Sequence, residues 1–508
     1  MKQITYILLL MVTWSMMACH HASVPETFTE SKKEAPIYPA YQNVTIPINI
    51  APLSFELMEN KLPAKVKDAV TRYSFGDEEI ICGGIKAQPD IDDWKTLVNK
   101  AKGKAIDVEV YWQNKDDNSW TKFNTFHIYV STDSIDPYIS YRLISPSYVT
   151  YEELTINQRC LENYDESVIY DNLLVGDEVN GQCINCHNYQ MYNPERMQFH
   201  ARQKKGGTIV TYDGKIKKVN MANDSILSAG VYPSWHPWLK LIAYSTNKTM
   251  QSFHTRDVNK IEVLDSESDL IVYDIDRNEV MNIENDPKEF EIFPFWAPDG
   301  KYLYFCSAHF EYENDTVSTP EVIRRSSEIK YSIYRKSFDI ETRQFGEKEM
   351  VYDAAGMSKS ATFPRISPNG KYLLFTLGGW GCFHVWHRDA DLWMIDLETM
   401  EARPMSECNS NNVESYHTWS SNGKWIIFSS RRTDGVFTRP FIAHVDENGK
   451  GSKPFELPSA DPDYHRQLMK SYNIPEFMKG PVKFKPQEIA DVLKNDVEPV
   501  KYVNHLSK

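Results

Sequence analysis

Four stretches of the chain align without gaps: Pro233-Ser-Trp-His-Pro-Trp-Leu-Lys-Leu-Ile-Ala-Tyr-Ser, Pro294-Phe-Trp-Ala-Pro-Asp-Gly-Lys-Tyr-Leu-Tyr-Phe-Cys, Pro364-Arg-Ile-Ser-Pro-Asn-Gly-Lys-Tyr-Leu-Leu-Phe-Thr and His417-Thr-Trp-Ser-Ser-Asn-Gly-Lys-Trp-Ile-Ile-Phe-Ser. Their shared lysines, Lys240, Lys301, Lys371 and Lys424, lie 61, 70 and 53 residues apart, room for four strands each. Asp299-Gly300, Asn369-Gly370 and Asn422-Gly423 supply the positive φ angles of a tight turn, and an apolar run follows each. The unit therefore begins with a hairpin. A third strand is expected at residues 270–274, 331–338, 392–396 and 441–445, and a fourth closes each unit before the next repeat.

Ahead of these, residues 193–200 and Gly207-Thr-Ile-Val-Thr-Tyr-Asp-Gly-Lys fit a fifth, degenerate unit. The pattern resembles the TolB-type, WD40-like β-propeller repeat over residues 193–460. The resemblance implies a mainly β chain with a propeller of five or six blades: five are visible, and the connector or the tail is the source of a sixth if there is one. Proteins of this kind mostly bind other proteins or carry a separate catalytic domain. The prolyl-oligopeptidase-like serine hydrolase is set aside, because about 50 residues follow the last repeat and Gly356-Met-Ser-Lys-Ser is not a Gly-x-Ser-x-Gly elbow.

The 508 residues are 41% hydrophobic and carry a net charge of −14, so the chain is a poor partner for nucleic acid. Lys2 and the apolar run from Ile4 to Trp14 read as a secretory signal, residues 1–18, too short to span a bilayer comfortably. Ala18-Cys19 resembles a bacterial lipobox, which implies lipidation of Cys19 and a membrane anchor in the cell envelope, periplasmic or at the outer membrane. Residues 19–42 read as a tether. Short strand-like runs and one helix carrying Trp94, Leu97, Val98 and Ala101 predict a small β-sandwich-like module over residues 43–142, with a structural or docking role. A connector over 143–192 and an extension over 461–508 complete the expected organisation.

The chemistry signal is Cys183-Ile-Asn-Cys186-His187, the attachment signature of a c-type haem, in which two thiols form thioethers and the histidine ligates iron. The chain's own composition gives roughly 0.003 chance matches. A disulfide between Cys183 and Cys186 is the second reading, and a zinc site, which needs two further ligands, is the third.

If haem c is held, the repeat alignment places it on the face formed by loops entering first strands. His200 or Met197 has the reach to supply a sixth iron ligand. His254, His309, His384 and His387 fall on the same face, as do Arg202, Arg431 and Arg432, which suit haem propionates. For each of these the competing role is an ordinary loop, strand-end or salt-bridge contact. Asp265, Glu267, Asp269, Asp389 and Asp391 have the composition of glycosidase carboxylates, but capping of turns and strand starts is their expected role. No catalytic residue is assigned. The expectation is an exported lipoprotein that carries haem c in envelope electron transfer or redox sensing with redox partner proteins; the alternative is a haem-free propeller that scaffolds or binds envelope proteins.

Overall fold

The computed structural model describes residues 22–145, 153–176, 181–313 and 318–506. Cys19, the leader before it and residues 177–180 lie outside them. The described chain is mainly β, and none of its helices is long and apolar enough to cross a membrane. It divides into two compact units, one comprising residues up to Asn43 with Pro52–Val130 and Ala460–Asp463, the other Val44–Ala51, Ser131–Ser459 and Tyr464–Lys508.

In the first unit Ala105–Gln113 is the central strand, paired antiparallel with Asp68–Phe75 along one edge and with Trp120–Asn124 and Phe126–Val130 along the other. A small second sheet joins Ile37–Tyr38, Phe55–Glu59, Leu62–Pro63 and Lys86–Ala87. The predicted helix spans Ile91–Lys100, with the Asp90 carboxylate accepting from the Asp92 and Asp93 amides. Its apolar stripe buries Trp94 edge-on to Tyr73, ring centroids 5.8 Å apart.

Among the described residues the second unit contains six sheets of four strands each, counted without the short tail strands added at two edges and with the third and fourth, joined by the single Ser268–Phe290 bridge, taken separately. The third to sixth begin with the aligned repeats, and their inner strands are Val231–Trp235, Glu289–Trp296, Ser360–Ile366 and Glu414–Trp419. Gly300, Gly370 and Gly423 take positive φ of 60°, 77° and 68° in the hairpins that follow. The second sheet is Gln182–Tyr189, Met197–Gln203, Gly207–Tyr212 and Lys215–Asn220. The first is assembled from both ends of the unit: Tyr138–Ile144 lies between Thr155–Cys160 and the tail strand Ser471–Met478. Residues expected to form a connector are thus strands, and the tail contributes an inner strand. Each inner strand packs beside the next, and the tail strand packs beside Gln182–Tyr189, so the sequence of neighbours is cyclic.

All six inner strands break register at the same place. The two-residue bulges are Cys186-His187, Tyr232-Pro233, Phe293-Pro294, Phe363-Pro364, Tyr416-His417 and Ile474-Pro475. The first residue of each is left-handed, with φ of 56°, 48°, 58°, 55°, 47° and 51°. Such angles are unfavourable for non-glycine residues by roughly 1–2 kcal/mol each. Packing about the axis offsets this: successive rings Tyr232, Phe293, Phe363 and Tyr416 lie 4.6, 4.1 and 4.7 Å apart between centroids. Ile474 and Cys186 complete the circuit, packed with Val231, Tyr232 and Tyr416.

Candidate functional site

Beyond the bulges the inner strands line a recess that shares lining residues with a deeper cavity at the aromatic circuit. The walls are apolar: Trp235, Trp296, Trp419, Phe295, Tyr189, Tyr192 and three prolines, Pro237, Pro298 and Pro368. At the throat, shared by the two cavities, stand Asn188, Arg365 and Glu476. The Glu476 carboxylate accepts from Arg365 at 3.1 Å, from the Asn188 amide at 3.1 Å and from the Thr418 hydroxyl at 3.2 Å. Its acceptor capacity is therefore nearly filled. Arg365 lies over the Phe295 ring at 5.1 Å. The throat presents a cation on an aromatic face beside a satisfied carboxylate, an arrangement that favours ligands bearing acceptors.

The Cys-x-x-Cys-His motif lies within the inner strand Gln182–Tyr189, with all three key side chains buried. His187 lines the deeper cavity, and neither ring nitrogen makes a hydrogen bond of acceptable geometry. Burial pushes its pKa down to about 3; the nearby Arg142 guanidinium acts in the same direction and the Ser140 carbonyl against it. An orphaned imidazole suits a metal ligand. The two thiols lie apart from the imidazole in their contacts. The Cys186 thiol faces the backbone of Tyr232 in the third sheet, whereas His187 faces Ser140 in the first. Cys183 belongs to the packed cluster of Tyr170, Phe199 and Trp386 and does not line the cavity. As folded, the three groups have different surroundings. Cys183 and Cys186 carry free thiols, and among the described residues no three His, Cys, Asp or Glu side chains converge as metal ligands.

The other predicted residues are largely engaged in packing. His200 is buried, its Nδ1 3.0 Å from the Thr208 hydroxyl, and Met197 lies in the same cluster as Cys183. His384 bonds Thr362 at 2.8 Å, and His387 meets Glu262 at 2.5 Å. Arg431 donates to the Val385 carbonyl at 2.9 Å and lies 3.2 Å over the Trp386 ring. Arg432 pairs with Glu414 at 2.9 Å, and the exposed His309 with Glu289 at 3.0 Å. His254 stands at the tip of the third sheet's long hairpin, and Arg202 opposite Cys183 across the second sheet. His254, His384, His387 and Arg431 gather near one end of the axis, and His309 and Arg432, at the ends of second strands, satisfy carboxylates of the inner strands beside them.

The sequence reading missed Arg365 and Glu476, and it missed the apolar residue before each proline. The signal was present as Val-Tyr-Pro, Ile-Phe-Pro, Thr-Phe-Pro and Asn-Ile-Pro at 231–233, 292–294, 362–364 and 473–475.

No family model and no curated protein matches the sequence. Among solved structures, prolyl oligopeptidase B from Galerina marginata aligns with 78% of this chain and 53% of its own at 10% identity and a TM-score of 0.35. A prolyl endopeptidase structure aligns over 64% of this chain and 42% of its own, at 9% identity and a TM-score of 0.34. Synechocystis apocarotenoid oxygenase aligns over 85% and 98%, at 10% identity and 0.34. The chain spans about half the length of the prolyl oligopeptidase chains it resembles. Likenesses at this level do not bear on what it binds.

Proposed function

We propose that the six sheets are the blades of a TolB-like propeller acting as a haem-free binding module, exported and held at the cell envelope through Cys19. The observation that carries this reading is the convergence of all six inner strands on one recess, with Arg365 and Glu476 at its throat. The recess has apolar walls and few, placed polar groups, the ordinary composition of a ligand site. No group in it is arranged as nucleophile and base, so the reading is binding, not catalysis.

The test is a titration of the full chain with anilinonaphthalene sulfonate, an aromatic anion suited to the Arg365 end. Binding in the recess predicts saturable fluorescence that Arg365→Ala and Phe295→Ala weaken; equal binding by both variants and the wild type overturns the assignment.

A covalently held haem c with redox partners is the second reading, favoured by the orphaned imidazole of His187. A haem stain on denaturing gels of protein exported from a host competent for cytochrome c maturation separates the two. The binding reading expects no stain, and a stained band lost in Cys183→Ala establishes the haem reading in its place.

A further inference from the structure

The opposite end of the axis carries a long hairpin packed against the buried loop of the fifth sheet. The second and third strands of the third sheet, Leu241–Phe253 and Ile261–Asp274, are 13 and 14 residues long, against 7 and 6 for their counterparts in the fifth sheet. The excess length begins at a register break between Lys248 and Thr249. Beyond it the two strands differ in environment. Residues 248–253 are exposed or half-buried, and Ile261, Glu262, Leu264 and Asp265 are buried.

The buried strand reaches several other sheets. Ile261 packs in the cluster of Ile184 and Trp386, and Leu264 in that of the axial rings Phe293 and Phe363. The Tyr312 hydroxyl donates to the Ser266 carbonyl at 2.5 Å, and the Arg388 amide to Asn259 at 3.1 Å. At the far end the contact is polar: Glu262 meets His387 of the fifth sheet's loop at 2.5 Å, both side chains essentially inaccessible to solvent.

We propose that residues 248–267 form a hinged lid over this end of the axis, latched by the Glu262–His387 pair and loosened when the carboxyls on the lid strand lose their protons. The aromatic circuit separates this end of the axis from the recess, so the lid does not depend on the reading of the recess as a ligand site.

The lid strand buries two carboxyls whose pairing is incomplete. Glu262 Oε1 and Asp265 Oδ1 have no hydrogen-bond partner, and the other Asp265 oxygen accepts from the Asn247 amide at 2.9 Å. Burial raises both groups, Asp265 to about 7, against the pull of His387 and His254 on Glu262 and of Arg202 on Asp265. The remaining ionisable neighbours are Cys382, Tyr331, Tyr312 and His384. Glu321, on the helix packed against the strand, is engaged by Arg325. A carboxyl raised by burial binds its proton more tightly when covered. The closed lid is therefore favoured at low pH, and that advantage is lost as pH rises through the value of the covered group.

Amide exchange on the full chain tests this, read as protection factors so that base catalysis of exchange is removed. Protection of residues 248–267 should fall about tenfold between about pH 6 and about pH 8.5, with the inner strands unchanged. The Glu262→Gln/Asp265→Asn variant, neutral at every pH, should keep its protection flat. Protection in the wild type that does not change, that falls equally across the whole unit, or that persists in its pH dependence in the double variant overturns the lid. Because the readout involves no ligand, failure of the dye titration leaves this result interpretable, and the converse holds.

Discussion

Arg365 and Glu476, 111 positions apart in sequence, meet at 3.1 Å and join the fifth sheet's inner strand to the tail strand of the first. The pair is both a brace for the ring and the polar feature of the recess. Asn188 and Thr418 donate to the same carboxylate, so one acidic side chain gathers contacts from the second, fifth and sixth sheets.

Removing that carboxylate should therefore be costly. Glu476→Ala leaves three donors without their acceptor and is expected to destabilise the unit by about 2–4 kcal/mol, less than a fully buried pair because Arg365 is partly exposed. Glu476→Gln, which retains one acceptor oxygen, should lie between it and the wild type. Urea unfolding midpoints measure both.

His187→Pro distinguishes a bulge residue from an iron ligand. Four of the six equivalent positions are proline: Pro233, Pro294, Pro364 and Pro475. If the position is defined by the bulge, the variant should fold with its melting temperature within a few degrees of the wild type, since Pro already occupies this backbone setting elsewhere in the ring. A large loss would show that the imidazole itself, or something bound to it, is required.

Acid should destabilise the six-sheet unit steeply. Burial holds His187, His200 and His417 at about 3 and His236 at about 4, all below the usual histidine value. The unfolded chain takes up protons near pH 6.5 that the folded chain refuses. Stability is therefore full above that pH and declines as pH falls toward the depressed values, by at most about 1.4 kcal/mol per histidine per pH unit. Urea titrations between neutral pH and about pH 4 should show this slope, and His236→Phe should reduce it.

Truncation before Ser471 should abolish cooperative unfolding of the second unit. Ser471–Met478 is buried throughout and is the inner neighbour of Tyr138–Ile144, so its loss exposes an inner sheet edge and removes Glu476. Far-UV circular dichroism through a thermal melt should show a broad transition in place of a sharp one; a sharp melt at the original temperature would contradict this.

The repeat was legible because its signals are local. A Gly at positive φ after Asn or Asp sets a hairpin within four residues, and the following apolar run has no soluble alternative to burial, so Asn369-Gly370 and Asn422-Gly423 identify their sheets unaided. The first sheet had no such mark. Its strands come from residues 138–171 and from a tail some 330 residues later, each weakly patterned alone.

The Cys-x-x-Cys-His motif shows where local reading stops. Sequence establishes that two thiols and an imidazole lie within five residues, and that spacing is what haem attachment needs. Which way each group points is decided by the bulge at Cys186-His187, and a bulge of that kind persists only because five others around the axis crowd against it. Residue order thus determined the strands and turns of the repeats and the candidate chemistry. Closure of the ring, the meeting of Arg365 with Glu476 and the directions of Cys183, Cys186 and His187 depend on contacts between segments far apart in the chain, and only the tertiary structure decided them.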